Sequence, residues 1–560
     1  MKSVKEKVFA FLILLFLLGS LAPTFYEITH RDRLPGVREF ELVHNFPTDF
    51  NFYLSRIRQG IEGNVTVREQ YTSEPHQGSF IHVFYLWLGW LGAWSRTPWH
   101  RAADVYHVAR IVFGGLLLVM IAQFCKKAYE EGSMNYELGI RNKAKNDFLH
   151  SSYFIIRNSK FALLSFLLVV TASTWPKLVN YNGGWRFGGY MPWWSVMDSL
   201  QRITFIPHLL VGQALIIFLI MALASEATMK KPRNWIFLGV LAFMLGIIFP
   251  PGLLFVAVTA GVLTVLDFKQ VVARMTVLGL GFPSLIYLSL MTSFYPWKRL
   301  VEFDIIKPLP FNYSEYLLAV GPILPIGMIG LLVVLWKKEK LFFPAVAWVI
   351  AWGMLLFVFR FIPSQSPLRF SEMIPHVPLA VLAAYLFFRL RRFRFFLVIP
   401  AVLIIIGGGV MYSSFLWQRD FIDHKMRAAY PLVPTGSYVM YPLKDFIAAM
   451  KYLQDATARD TVILSETTAG NYIPVQSGNT VYVGHANTVR AEEKEAKVKE
   501  FFSGRMKPDD VLAWLMRENL QWIYFGPQER EDGGVSDLSK TYPFLKEAYK
   551  NNFVTIYRTL

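Results

Sequence analysis

Long apolar runs alternate with short basic stretches over the first three quarters of the chain, and that alternation predicts helices crossing a membrane. The run 8–21 follows Lys2, Lys5 and Lys7, and no small-residue cleavage site comes after it. It reads as an uncleaved first span with its N-terminus inside. Further spans read at 105–124, 161–175 and 205–224. A hairpin broken at Pro250-Pro251 follows, then 277–293, a run ending at Lys337-Lys338-Glu339-Lys340, 342–361, a run ending in RLRRFR at Arg394, and 396–415. About eleven spans result, and every strongly basic stretch then faces the cytoplasm. The run 80–94, rich in Trp and Tyr, is apolar enough to add one more. A crossing there would carry the basic stretch 126–160 outside, so 80–94 reads as a helix lying in the outer interface.

Two regions depart from this rhythm. In HNFPTDFNFYLSRIRQGIEG, Phe50, Tyr53, Leu54, Ile57 and Ile61 recur at helical spacing, with Thr48 as the expected N-cap and Gly60 as the expected stop. Asp49 then falls in the first turn, where helix-end N–H groups favour a carboxylate. Past about Trp417, TVILSE, TVYVGH, WIYFG and FVTIYR read as strands, and 491–502 and 509–518 as helices between them. The expected architecture is a polytopic α-helical membrane domain, 1–416, whose first outer loop, 22–103, carries Asp49. A small extracytoplasmic α/β domain, 417–560, completes it.

Composition agrees. Of 560 residues only 17% are charged, against about 25% in soluble proteins. The net charge of +17 falls largely in loops between apolar runs, which points to anionic lipid and excludes nucleic acid as a partner. The single Cys125 excludes an intramolecular disulfide framework and a cysteine metal cluster.

Outside a membrane there is no nucleotide supply, so group transfer there needs a membrane-borne activated donor. A polyprenyl-phosphate sugar fits: its leaving group is already a phosphate and needs no general acid. One carboxylate to take the acceptor proton, with cations on the phosphate, then suffices. Asp49 is the candidate base, its competing role being a helix cap. Arg110, Arg202 and Arg369 are candidate phosphate ligands, or else interfacial anchors. Tyr53, Glu74, His76, His208, Glu372 and His376 are candidate substrate contacts. His208 and His376 each follow a proline at the outer end of a span, where a carbonyl freed by the proline is the competing partner. Glu74 and His76 sit in the Asp49 loop and raise the question of a divalent ion, although no metal-motif spacing is present. Asp198 is a further carboxylate candidate. His485 reads first as a strand-end histidine, with acceptor contact as the second reading.

The order of these features resembles the GT-C glycosyltransferases, a membrane fold shared by protein O-mannosyltransferases, the lipid A aminoarabinose transferase and oligosaccharyltransferases. The resemblance rests on PTDFNFYLSRIRQG in the first loop, YHVARIVFG opening the second span, and the outer segments TFIPH and PLRFSEMIPHVPLAVLAA. The run SETTAGNYIPVQSGNTVYVGH is similar to the outer domain of bacterial members. What the resemblance implies is inverting transfer from a polyprenyl-phosphate sugar, with Asp49 at the acidic first-loop position. Two departures stand: Phe50 replaces the second acidic residue of the mannosyltransferases, and the oligosaccharyltransferase WWDYG is absent. A flippase for lipid-linked sugars and a non-catalytic envelope protein are the competing functions.

Overall fold

The structure, a computed structural model, describes residues 2–140, 159–191, 196–306, 308, 310–361, 368–393, 395–434 and 440–559. Most of the basic stretch 126–160, Pro192–Ser195 of PWWSVMDS and residues 362–367 before Arg369 lie outside them. The chain forms two compact units interleaved in sequence. One comprises residues 1–23, 109–286 and 309–418; the other comprises 24–108, 287–308 and 419–560.

The first unit is helical. Among the described residues, five helices are long and apolar enough to cross a membrane, or seven if two bent pairs each count as one. Shorter apolar helices include Pro232–Ile248 and Pro250–Leu266, which part at Phe249 as the Pro-Pro break predicts. Their 17 residues reach about 26 Å, just short of the ~30 Å hydrocarbon core, which is why length alone does not recover the expected eleven. Helix Ile323–Lys337 packs on His376–Arg389 through Gly327 and Gly330, where a Cβ would run into the backbone of Leu379 and Leu382. Small residues at a crossing let two backbones approach where apolar burial supplies little drive. The expected outer loop after 161–175 holds a β-hairpin, Lys177–Tyr181 with Gly184–Gly188. It turns at Asn182-Gly183, both at positive φ.

The second unit is built on a five-stranded sheet with the order Thr480–Val481, Val462–Leu464, Trp522–Phe525, Thr555–Thr559, Leu545–Lys550. The first three strands are parallel and the last two antiparallel. Side chains alternate between two cores. Ile463, Tyr524 and Ile556 join Phe446, Met450 and Ile473 on one face, while Leu464, Ile523, Phe525 and Tyr557 join Phe501 and Trp514 on the other. With both faces buried, the strands read as short continuous apolar runs.

The Asp49 helix spans Pro47–Ile61 and belongs to this second unit. Two sequence expectations are corrected here. Phe46, not Thr48, is the N-cap, because Pro47 takes the first helical position; Gly60 lies inside the helix and does not end it. Glycine is required at 60 for packing: a Cβ there would overlap the Leu86 carbonyl, and one at Gly89 the Ile57 carbonyl. The helix therefore crosses Val83–Trp94 backbone to backbone. That partner buries Tyr85, Leu86 and Leu88 and exposes Trp90, Leu91 and Trp94. At 12 residues it reaches about 18 Å, too short to span. Gly89→Ala is expected to destabilise this unit by about 1–3 kcal/mol, since backbone must move to admit the methyl. Gly63→Ala meets open space and carries only the strain of its φ of +90°. Comparative proteolysis of the two variants in membranes reads the difference.

A pH response is built in where the strands Val462–Leu464 and Trp522–Phe525 end. Burial first, then the charges of Glu529 and Asp532, push the Glu466 carboxyl up to about 9, and burial pushes Glu529 up to about 7. Glu529 accepts the Glu466 N–H at 2.8 Å and the Gly526 N–H at 3.0 Å. An unfolded glutamate titrates near 4.5, so between that value and about 9 the folded state holds more protons. Stability contributed by Glu466 is complete below 4.5 and is lost as pH rises towards 9. Amide exchange at Ile463–Leu464 and Ile523–Phe525 is expected to show about 1–3 kcal/mol less protection at pH 8 than at pH 6. Glu466→Gln flattens that slope.

Candidate active site

Asp49 sits in the first turn of Pro47–Ile61 with its side chain 50% exposed, and no side chain caps this helix. The capping role therefore has no hydrogen bond behind it. Around Asp49 the helix is buried on nearly every side, including Asn51, Ser55, Arg56, Arg58 and Gln59. Residues far along the chain pin it. Asn471 donates to the Thr48 carbonyl at 3.2 Å and accepts from Asn51 at 2.9 Å. Arg58 donates to the carbonyls of Val475 at 2.6 Å and Ser477 at 3.0 Å and pairs with Glu62 at 2.8 Å. Burial lowers its pKa to about 10, which still leaves it a cation.

Beside Asp49 stands His485, whose Nε2 lies 3.6 Å from the Asp49 Oδ1. Its ring stacks on Phe52 at 4.5 Å and is flanked by Tyr71 at 5.4 Å. One helical turn along from Asp49, half-buried Tyr53 stacks on Tyr85 at 4.4 Å, with Tyr106 next in the pile. Of the candidate substrate contacts in this unit, Tyr53 is the one that remains within a turn of the carboxylate.

Glu74 and His76 are otherwise engaged. His76 accepts the Glu69 N–H at Nε2, 2.9 Å away, so its proton is on Nδ1, which donates to the Glu74 carbonyl at 2.8 Å. Glu74 pairs with Lys494 at 2.8 Å and accepts from Thr72. Burial opposes its charge, but Lys494 and Thr72 outweigh burial and hold the carboxyl below its usual value. Both His76 ring nitrogens and both Glu74 carboxylate oxygens are thus engaged within the protein. Among the described residues no group of three or more His, Cys, Asp or Glu is placed to hold a metal.

The remaining candidates belong to the helical unit. Arg202 is buried and donates to the carbonyls of Val196 at 2.8 Å, Ala172 at 3.1 Å and Met197 at 3.3 Å. Its guanidinium also lies 3.3 Å from the His376 Nε2. This network braces the loop ahead of Pro207–Ala224, and a phosphate would have to compete with it. Arg110 is buried too and donates to the Thr204 carbonyl at 2.9 Å. Asp198 accepts the Leu200 N–H at 2.7 Å and the Ser414 hydroxyl, so it ties a loop. Glu372 is buried, and its carbonyl accepts from Gln213 at 2.9 Å. His208 opens the first turn of Pro207–Ala224, half-buried, and Arg369 lies exposed on the short helix Leu368–Ser371.

No family model matches the sequence, and no curated protein matches it. Solved structures do. The archaeal oligosaccharyltransferase AglB from Archaeoglobus fulgidus, in complex with an inhibitory peptide and a dolichol-phosphate, is 11% identical with a TM-score of 0.50. The match covers 99% of this chain and 74% of that one. A second structure of that enzyme, tethered to an acceptor peptide with the NVT sequon, is 12% identical with a TM-score of 0.51, covering 98% and 74%. ArnT from Cupriavidus metallidurans bound to undecaprenyl phosphate gives 10% identity and a TM-score of 0.49, covering 99% and 97%. In fold, the chain is similar to the archaeal oligosaccharyltransferase AglB.

Proposed function

We propose that the chain is an inverting glycosyltransferase working at the outer face of a membrane on a polyprenyl-phosphate-linked sugar. The bond from the sugar's anomeric carbon to the phosphate oxygen breaks, and polyprenyl phosphate leaves. A bond from the acceptor oxygen forms on the opposite face of the sugar, and the acceptor's proton passes to Asp49. The observation that carries this reading is a half-exposed carboxylate, uncommitted to capping, on a helix otherwise locked in place by buried partners. The fold it sits in is similar to that of an enzyme solved with dolichol-phosphate. Arg369, exposed on its short helix, is the first candidate for the donor phosphate. Arg110 and Arg202 donate to carbonyls of the helical unit and brace its loops. The eleven spans, the cytoplasmic N-terminus and the outer location of residues 417–560 belong to the same reading.

The test is a panel of radiolabelled undecaprenyl-phosphate monosaccharides offered to the purified chain in vesicles, with an envelope lipid and glycan extract as acceptor. The expected result is release of undecaprenyl phosphate together with a labelled product. Movement of an intact donor across the bilayer without cleavage would identify a flippase instead.

A further inference from the structure

We infer that His485 is a positioning residue for Asp49, holding one carboxylate oxygen so that the other faces the acceptor. This deepens the proposed function and rests on Asp49 being its base. The inference starts from the proton on the ring. The Asn487 N–H points at His485 Nδ1 from 3.2 Å, so Nδ1 is the acceptor nitrogen and the proton of the neutral ring is on Nε2. That nitrogen is the one facing Asp49 Oδ1, 3.6 Å away, and catalytic pairs of this kind shorten to hydrogen-bond length when substrate binds.

The ring itself has little freedom to turn. Phe52 covers it at 4.5 Å with an interplanar angle of 22°, and Tyr71 closes a second side. Below it, Gly484 and Gly470 touch backbone to backbone, leaving no room for a side chain at either position. Thr488 in the same loop donates to the Tyr71 carbonyl at 2.6 Å, which ties the loop to the segment beside the Asp49 helix. With His485 on the Oδ1 side of the carboxylate, Oδ2 is the oxygen left for the acceptor proton.

Two substitutions separate positioning from packing. His485→Phe keeps the ring against Phe52 and Tyr71 and deletes the donor; His485→Gln gives up the ring and keeps an N–H at similar reach. The first readout needs no substrate: carbodiimide-activated coupling of glycine ethyl ester to Asp49 in the full-length protein, quantified by mass spectrometry with exposed Asp509 and Asp510 as internal standards. Labelling of Asp49 is expected to rise several-fold in H485F and to stay near wild type in H485Q. The second readout is turnover of whichever panel donor the wild type consumes. H485F is expected to lose about 10- to 100-fold in kcat with the donor KM unchanged, the equivalent of one hydrogen bond to a charged group. H485Q is expected to recover most of that loss. Wild-type labelling and turnover in H485F, or failure of H485Q alongside it, overturns the inference. Retained transfer in Asp49→Asn strikes only the base assignment, because the labelling reads the pair without substrate.

Discussion

Asp49→Asn is expected to lower sugar transfer by about 10²- to 10⁴-fold, the usual contribution of a positioned acid–base group, while leaving the fold intact. Both halves of that expectation come from the geometry. Asn is nearly the same size and still accepts hydrogen bonds, yet it takes no proton from an acceptor. No capping bond is lost, because Phe46 holds the cap position and no side chain bonds there. A structural Asp49 would predict the reverse pattern: unchanged transfer and, at most, a slightly weaker helix start. Initial rates with saturating donor, paired with a proteolysis profile, separate the two. A variant as active as the wild type would remove Asp49 from the chemistry.

Arg56→Met carries the largest expected effect on stability. Arg56 and Glu69 pair at 2.6 Å with side chains 0% and 2% exposed, and the guanidinium lies 3.5 Å from the centre of the Phe52 ring. Removing one partner leaves a carboxylate buried without its cation, which costs about 3–5 kcal/mol. The double change Arg56→Met with Glu69→Leu is expected to recover much of that, since two apolar groups leave no stranded charge. Because Phe52 also stacks on His485, the single variant is expected to lose transfer activity as well as protease resistance. Equal stability of the single and double variants would show that the pair is not the source of the effect.

What the sequence made legible follows from the range of the interaction involved. The helix carrying Asp49, the Pro-Pro break and the four expected strands rest on local periodicity and on proline, and each is present. The Asn182-Gly183 hairpin carries an equally local signal, an Asn-Gly turn between two short runs, within a stretch whose hydropathy reads as loop. The cap at Thr48 failed because Pro47, which prefers the first helical position, moves the start forward. Gly60 was misread because a glycine that lets two helices touch looks the same, in one dimension, as a glycine that ends one. Arg202 and Glu74 could not be told from ligand-binding residues, since the Ala172 carbonyl and the lysine that engage them come from distant segments. The nearness of His485 to Asp49 stayed hidden for the same reason. Nothing near it in sequence signals Asp49; the one local cue is Asn487, two residues on, which supplies the N–H that fixes the ring's proton.

The interleaving of segments 24–108, 287–308 and 419–560 in one unit has a consequence for biogenesis. When the ribosome has finished the Asp49 helix, the groups that will clasp it, Asn471, Val475 and Ser477, have not been translated. Its buried arginines and asparagine must wait in water, or with a chaperone, while the intervening helices insert. A nascent chain released before residue 470 would hold a complete set of apolar helices and still lack a folded head. Maturation of this protein is therefore timed by its last quarter, and a C-terminal truncation should be cleared by quality control rather than persist half-folded.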